Sequence, residues 1–166
     1  YLPIITKFFT KDELEPVRII YRSATKWIVN ATYPLVVFIV LFSPMIVTHT
    51  LGDNYRPAHV ALVILTIGTF VRVIVGPNGA TIQAINRTKI EMYSAICGVL
   101  INIVLNILLI PRIGIEGAAI ATAISYSIYN FVEASVVFNE LDIHPFSKNT
   151  IIPLVPTAIV GLVLIE

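Results

Sequence analysis

The feature that most constrains this chain is a series of long apolar blocks, almost free of charge and separated by short polar connections. The first block, residues 27–48, has 22 residues and no charged side chain. At about 1.5 Å per residue, a helix of that length is roughly 33 Å long, enough to cross the hydrocarbon core of a bilayer. Further blocks cover residues 59–75, 92–110, 118–132 and 151–165. Blocks this long predict helices, because membrane-spanning strands need only about 9–11 residues.

The composition excludes most soluble classes of protein. Hydrophobic residues make up 57% of the chain and charged residues only 13%, against about 25% charged residues in an average soluble domain. The net charge of +1 offers no basic field to attract nucleic acid. The single cysteine, Cys97, excludes an intrachain disulfide and a cysteine-rich zinc site. We therefore predict an all-α fold, a polytopic transmembrane helical bundle.

The blocks also predict the organisation of the chain, with about four complete spans and a partial fifth. We expect residues 1–26 to form a cytoplasmic amphipathic connecting segment and residues 27–138 the four-span region. Residues 139–150 are then a cytoplasmic connection, and residues 151–166 begin a further transmembrane helix. Because the sequence begins with Tyr1 and its last apolar block is short, we interpret it as a piece of a longer protein.

The basic residues predict the orientation of the spans. Five Lys and Arg residues precede the first block, and the later connections carry one, two, one and one. Because cytoplasmic connections are enriched in Lys and Arg, we predict that residues 1–26 and 86–90 lie in the cytoplasm. Residues 8–26 are compatible with an amphipathic helix in the headgroup layer, begun by Thr10 or Asp12, and equally with an ordinary linker helix.

Arg72 is the most informative polar position, because it lies roughly 20 Å into its span. A central arginine costs at least about 2.5–3.5 kcal/mol unless its guanidinium faces a bundle interior or water. On a helical wheel it falls in a small and polar stripe, made of Gly68, Arg72, Gly76, Gly79, Gln83 and Asn86. This stripe predicts one wall of a hydrophilic cavity, where a guanidinium suits a phosphate group. The alternative is a structural arginine, paired with a carboxylate elsewhere or extended to a lipid headgroup.

The stretch Gly76-Pro77-Asn78-Gly79 predicts a break in the second span. Pro77 has no N–H to donate to the carbonyl of Val73, and the two glycines loosen the backbone. Broken helices at membrane depth often line transport sites. We therefore predict a hinge at Gly76, Pro77 and Gly79, although a break close to the cytoplasmic end that only shapes the packing remains possible.

The remaining polar residues indicate packing more than chemistry. Asn102 and Asn106 lie on one face of the third span, where hydrogen bonds between helices are the favoured role. Asn102 and Gln83 join Arg72 as candidate substrate-binding residues. Glu133 lies near a predicted cytoplasmic end, where solvation is cheap, so a proton-relay role is disfavoured. The sequence contains no catalytic, metal-binding or nucleotide-binding motif, and no cofactor is expected.

The block that joins the third and fourth spans resembles a known family. Residues 102–125 are similar to the pattern "LN…LIP…GI.GAAIAT..S" found in the C-terminal region of polysaccharide biosynthesis proteins. These proteins belong to the multidrug/oligosaccharidyl-lipid/polysaccharide (MOP) flippase superfamily. The pattern is matched by Leu105, Asn106, Leu109, Ile110, Pro111, Gly114, Ile115, Gly117, Ala118, Ala119, Ile120, Ala121, Thr122 and Ser125. Residues 21–27, 51–55 and 76–79 resemble the same family more weakly.

The resemblance implies a flippase that moves lipid-linked oligosaccharides across the cytoplasmic membrane by alternating access. The chain would be most of the second lobe of a two-lobe transporter, and its partners a polyprenyl-pyrophosphate-linked oligosaccharide, membrane lipids and the missing first lobe. A multidrug or cation antiporter of the same superfamily is the main alternative. It needs an acidic site inside the membrane, which the sequence does not indicate. A non-transporting assembly partner and a membrane glycosyltransferase or polymerase are further alternatives.

Overall fold

The structure, a computed structural model, describes residues 1–143, and these residues form helices and turns only. In chain order the helices are α1 (Leu2–Phe9), α2 (Leu14–Leu51), a short 3-10 helix (Asp53–Ala58), α3 (His59–Val75), α4 (Asn78–Ala84) and α5 (Thr88–Leu141). Three stretches are long and apolar enough to cross a membrane: Leu14–Leu51, Asp53–Ala84 and Thr88–Leu141. The predicted all-α polytopic bundle is confirmed. The partial fifth span lies outside the described residues.

Helix α5 is a hairpin of two antiparallel arms, residues 88–113 and 115–141. The chain reverses at Gly114, whose φ of 61° and ψ of −135° are not helical. Asn102 Nδ2 in the first arm lies 3.4 Å from Thr122 Oγ1 in the second. A Cβ added at Gly117 would stand 2.7 Å from the backbone of Leu109, so only glycine allows the arms to approach so closely after the turn. Each arm contains one predicted apolar block, as the sequence led us to expect.

Helix α2 runs without interruption from the predicted connecting segment into the first span. Its N-cap is Glu13, which forms no side-chain capping bond. The prediction that Thr10 or Asp12 begins this helix is therefore wrong. Pro16 lies in the first turn, where its missing N–H removes no helical hydrogen bond. No proline or glycine follows before Pro34, so nothing ends the helix at residue 26. Its 38 residues extend about 57 Å, more than the hydrocarbon core is thick, so the first turns project beyond it.

The segments predicted to be cytoplasmic share one end of the molecule. Thr6 Oγ1 donates to the carbonyl of Ala84 over 3.3 Å, and Arg87 pairs with Glu140 at 2.9 Å. A buried apolar cluster joins α1, α2, α4 and the end of α5 here, formed by Ile5, Val17, Tyr21, Ile82, Ala84, Ile85, Val137, Leu141 and Ile143. The 3-10 helix and the turn at Gly114 lie at the opposite end, where residues of α2, α3 and the second arm of α5 line one apolar groove.

The second span is broken between α3 and α4. Gly76 has a φ of +100°, and helix α4 begins again at Asn78. The Tyr21 hydroxyl lies 2.9 Å from the Val75 carbonyl oxygen and 2.6 Å from Asn78 Oδ1, so its proton is shared between both sides of the break. Tyr21 is 1% exposed. A side chain of α2 therefore satisfies the carbonyl that the break leaves without a helical partner.

Helices α3 and α5 approach closely at a glycine. A Cβ built at Gly68 would lie 2.5 Å from the Cβ of Ala123 in the second arm of α5. Gly68 is buried. Because packing between membrane helices depends on close contact of small residues, this position decides how near α3 can lie to α5.

We expect Tyr21→Phe to destabilise the backbone at the break between α3 and α4. The change removes the hydroxyl and leaves the buried Val75 carbonyl with only a 3.4 Å contact to Asn78 Nδ2, which costs about 1–3 kcal/mol. The measurements are the melting temperature of the purified protein in detergent and hydrogen exchange over residues 76–84, which should be faster. Tyr93→Phe, at a 64% exposed tyrosine, is the matched control. Wild-type exchange in Tyr21→Phe would contradict the proposed role of the hydroxyl.

We expect Gly68→Leu to destabilise the bundle by about 1–3 kcal/mol, because the new side chain would overlap the backbone and side chain of Ala123. Ala31→Leu, on an exposed face of α2, makes a similar change without crowding and should be near neutral. Thermal unfolding of both variants in detergent gives the comparison. Equal melting temperatures would show that α3 and α5 are not packed at Gly68.

Candidate functional site

Two open cavities meet at Arg72, on the face where α3 and α4 lie against α5. The first, of about 510 Å³, we call the acidic cavity; its polar lining includes Arg72, Gln83, Glu91, Tyr129, Asn130 and Glu133. The second, of about 450 Å³, we call the neutral cavity; its polar lining is Arg72, Asn102, Thr122, Ser125, Tyr126 and Tyr129. Among the described residues, no carboxylate lines the neutral cavity. Arg72 and Tyr129 line both cavities.

Arg72 lies in the last turn of α3, one turn before the break. The C-terminal end of a helix carries partial negative charge, which favours a cation at this position. The side chain is exposed, and within residues 1–143 it forms no ion pair. The guanidinium therefore stands on the wall of both cavities with its hydrogen-bond donors available.

Glu91 and Glu133 converge beneath α4. A Cβ placed on Gly79 would lie 3.3 Å from Glu91 Oε1 and 3.5 Å from Glu133 Oε2, so the glycine makes room for both carboxylates. Gln83 Nε2 donates to Glu91 Oε1 over 2.9 Å. Glu133 is 1% exposed, and its Oε1 has no hydrogen-bond partner among the described residues. The acidic cavity therefore holds two carboxylates and one guanidinium.

The burial of Glu133 corrects the sequence interpretation, which placed this residue in a solvated position near the end of its span. After the break, α4 packs on α5 and covers the carboxylate. Helical spacing offered a partial signal, because Glu133 continues the line of Ser125 and Tyr129 on the second arm. The helix that covers this line is decided by the direction of the chain after Gly76. The periodicity of α5 carries no information about that direction.

The predicted substrate-binding residues fall into two groups. Gln83 lines the acidic cavity and Asn102 the neutral cavity, so each shares a cavity with Arg72 but not with the other. Asn106 Nδ2 donates to Asn102 Oδ1 over 2.8 Å, and Asn102 Nδ2 reaches Thr122 Oγ1 in the other arm. The predicted bonding of Asn102 across the helix interface is therefore confirmed.

The polar stripe predicted around Arg72 does not face a single direction. A Cβ at Gly68 would meet α5, whereas one at Gly76 would lie 2.5 Å from the Tyr21 hydroxyl of α2. The wheel assumed a continuous rotation of 100° per residue, and the break interrupts it. The helix break itself is present at Gly76 and Pro77, while Gly79 lies inside α4, where it provides space for the two carboxylates.

Comparisons with known proteins support the class that the motif indicated. The MatE family model matches residues 2–108. A probable low-salt glycan biosynthesis flippase, Agl15 of Haloferax volcanii, is 27% identical over 135 residues, which cover 80% of this chain and 28% of the relative. The lipid II flippase MurJ of Bacillus subtilis is 28% identical over 181 aligned positions, covering 97% of this chain and 30% of the relative.

An uncharacterized membrane protein of Methanocaldococcus jannaschii, MJ1068, is 32% identical over 95 residues, which cover 57% of this chain and 19% of that protein. The chain thus spans less than a third of the length of these relatives. The comparison with solved structures gave no significant match. The predicted superfamily is confirmed, because the family model covers more than half of the chain: the chain belongs to the MatE family of the MOP flippase superfamily and is a multi-pass membrane protein.

Proposed function

We propose that this chain is part of a two-lobe flippase that moves a lipid-linked oligosaccharide across the cytoplasmic membrane by alternating access. The observation that carries the proposal is Arg72, an arginine of a membrane span that has no ionic partner in residues 1–143 and borders two cavities. Two relatives are named as flippases, one for lipid II and the other a probable flippase of low-salt glycan biosynthesis. No catalytic role is assigned to the chain.

The chemistry of the substrate explains why such a site is useful. A polyprenyl pyrophosphate has an apolar tail that stays in lipid and an anionic group that needs donors. The planar guanidinium of Arg72 presents paired N–H groups that match phosphate oxygens. Asn102, Ser125 and Tyr126 add neutral polar groups to the cavity that contains no carboxylate. The neutral cavity therefore suits the pyrophosphate.

The break between α3 and α4 is a suitable place for a conformational change during transport. Broken helices let one part of a transporter shift while its backbone groups stay paired. Here the Tyr21 hydroxyl bridges the break from α2. Gly76 and Pro77 are the positions at which we place the hinge.

A cation-coupled antiporter of the same superfamily is the second candidate. It is favoured by one observation, the buried Glu133 beside Glu91. Such a protein would exchange its substrate for a cation or a proton, and its substrate would not need to carry a pyrophosphate. Deletion of the protein separates the two candidates: surface glycan should be lost if the protein is the flippase and unchanged if it is the antiporter.

We predict that Arg72→Ala abolishes surface glycan in cells whose own gene copy is deleted. A hydrogen bond to a charged group contributes about 1.5–3 kcal/mol, so loss of the guanidinium lowers affinity for a pyrophosphate by about tenfold or more. The measurements are the amount of surface glycan and the amount of protein in the membrane fraction, which should not change.

The matched control is Arg112→Ala, at an exposed arginine beside the Gly114 turn of the α5 hairpin, at the opposite end of the molecule. Its surface glycan should equal that of the wild type. Arg72→Lys keeps the charge but loses the paired donors, and it should restore glycan only in part. Wild-type glycan in Arg72→Ala would rule out the site.

We predict that the end of the molecule formed by α1, the start of α2 and residues 86–90 is cytoplasmic. In a background in which Cys97 and any cysteines outside this chain are replaced by serine, single cysteines at Lys11 and Lys89 should resist a membrane-impermeant maleimide in intact cells. Cysteines at Tyr55 and Arg112 should react, because they lie at the opposite end. Labelling in opened cells is the control, and the reverse pattern would invert the orientation.

A further inference from the structure

The acidic cavity contains a buried acceptor that the proposed phosphate contact does not use. Glu133 Oε1 has no hydrogen-bond partner among residues 1–143, and the side chain is 1% exposed. Tyr129, one helical turn earlier, interacts with the same carboxyl group. A buried carboxylate oxygen without a donor is costly. It marks a position at which a ligand can supply that donor.

The surroundings of this oxygen are rich in acceptors and amides. Glu91 Oε1 and the Glu133 carboxylate both approach the position that a Cβ at Gly79 would occupy, and Glu91 Oε1 also accepts a hydrogen bond from the Gln83 amide. Asn130 completes the polar lining opposite α4. A cavity of about 510 Å³ lies within the range of volumes that accommodate small organic ligands.

The ligand that fits this lining is a neutral group with several donors. The two carboxylates would repel a phosphate placed among them, whereas the hydroxyls of a sugar donate to carboxylates. A bare monovalent cation suits the cavity less well. The guanidinium of Arg72 already supplies one positive charge on its wall, and Glu91 already accepts the Gln83 amide. In residues 1–143 no group of three or more His, Cys, Asp or Glu is arranged to hold a metal ion.

We propose that the acidic cavity is the sugar subsite of the flippase, with Glu133 and Glu91 accepting hydrogen bonds from hydroxyls of the transported glycan. The pyrophosphate then lies in the neutral cavity, and Arg72, which lines both, marks the junction between phosphate and sugar. This assignment rests on the proposed function. It makes Glu133 a determinant of glycan specificity, separate from the recognition of the lipid carrier.

The test compares two probes on the purified complete protein in detergent: undecaprenyl pyrophosphate, and the same lipid carrying one N-acetylglucosamine. Glu133→Gln should weaken binding of the glycosylated lipid by about tenfold or more, because a charged acceptor is lost. Binding of the bare lipid should change less than about twofold, since that lipid makes no contact with Glu133. Arg72→Ala should weaken both probes together.

Glu91→Gln is the second variant, because Glu91 is less buried than Glu133 and its replacement is less disruptive to folding. It should show the same selectivity for the glycosylated probe. Glu13→Gln, at an exposed position before α2, is the matched control and should change neither affinity.

The outcomes separate the sugar subsite from the proposed function. If Arg72→Ala weakens both probes while Glu133→Gln and Glu91→Gln do not discriminate between them, the sugar subsite is wrong and the flippase proposal stands. If the wild-type protein binds neither probe, both are wrong. If sodium ions bind to the wild type, the binding is lost in Glu133→Gln and the probes are not discriminated, the acidic cavity is a cation site and the sugar subsite is overturned.

Discussion

Inside a bilayer, each backbone N–H and C=O group has to find its partner within the protein, and the architecture described here depends on this requirement. Continuous helices meet it for almost the whole of residues 1–143. The same requirement holds wherever backbone groups are buried in protein: at Gly76 and Pro77 the helix stops, and the buried Val75 carbonyl accepts a hydrogen bond from the Tyr21 hydroxyl of α2. The break is therefore stable because a neighbouring helix supplies the missing hydrogen bond.

The position of that break also creates the candidate site. Because the backbone turns at Gly76, α4 leaves the direction of α3 and packs over the second arm of α5. Gly79 then lies against Glu91 and Glu133, and Arg72 stands one turn before the break. The hairpin of α5 thus brings the two carboxylates together, and the break in the second span places Gly79 against them and Arg72 on the wall of the same cavity.

The motif that identifies the family has a structural explanation in this chain. Gly114 adopts a backbone conformation that residues with a Cβ rarely reach, and it reverses the chain. Gly117 then lies so close to Leu109 that a side chain would collide with the backbone. Gly114 and Gly117 build the hairpin of α5 and line neither cavity, whereas Thr122 and Ser125 of the same motif line the neutral cavity. The glycines of the motif therefore explain the fold, while Thr122 and Ser125 place one side of the motif at the neutral cavity. The charged residues of the candidate site, Arg72 and Glu133, lie outside the motif.

The sequence by itself determined the spans, since the thickness of the bilayer sets the length of an apolar block and the cost of unpaired backbone groups makes it helical. It also located the break, through Gly76 and Pro77, and singled out Arg72 by the cost of an arginine in lipid. Only the tertiary structure decided that α2 is continuous through residue 26, that Glu133 is buried, and that Gly76 and Gly68 face different helices. Periodicity describes one helix at a time. Burial depends on which neighbour covers a face, and that follows from the direction the chain takes after each turn.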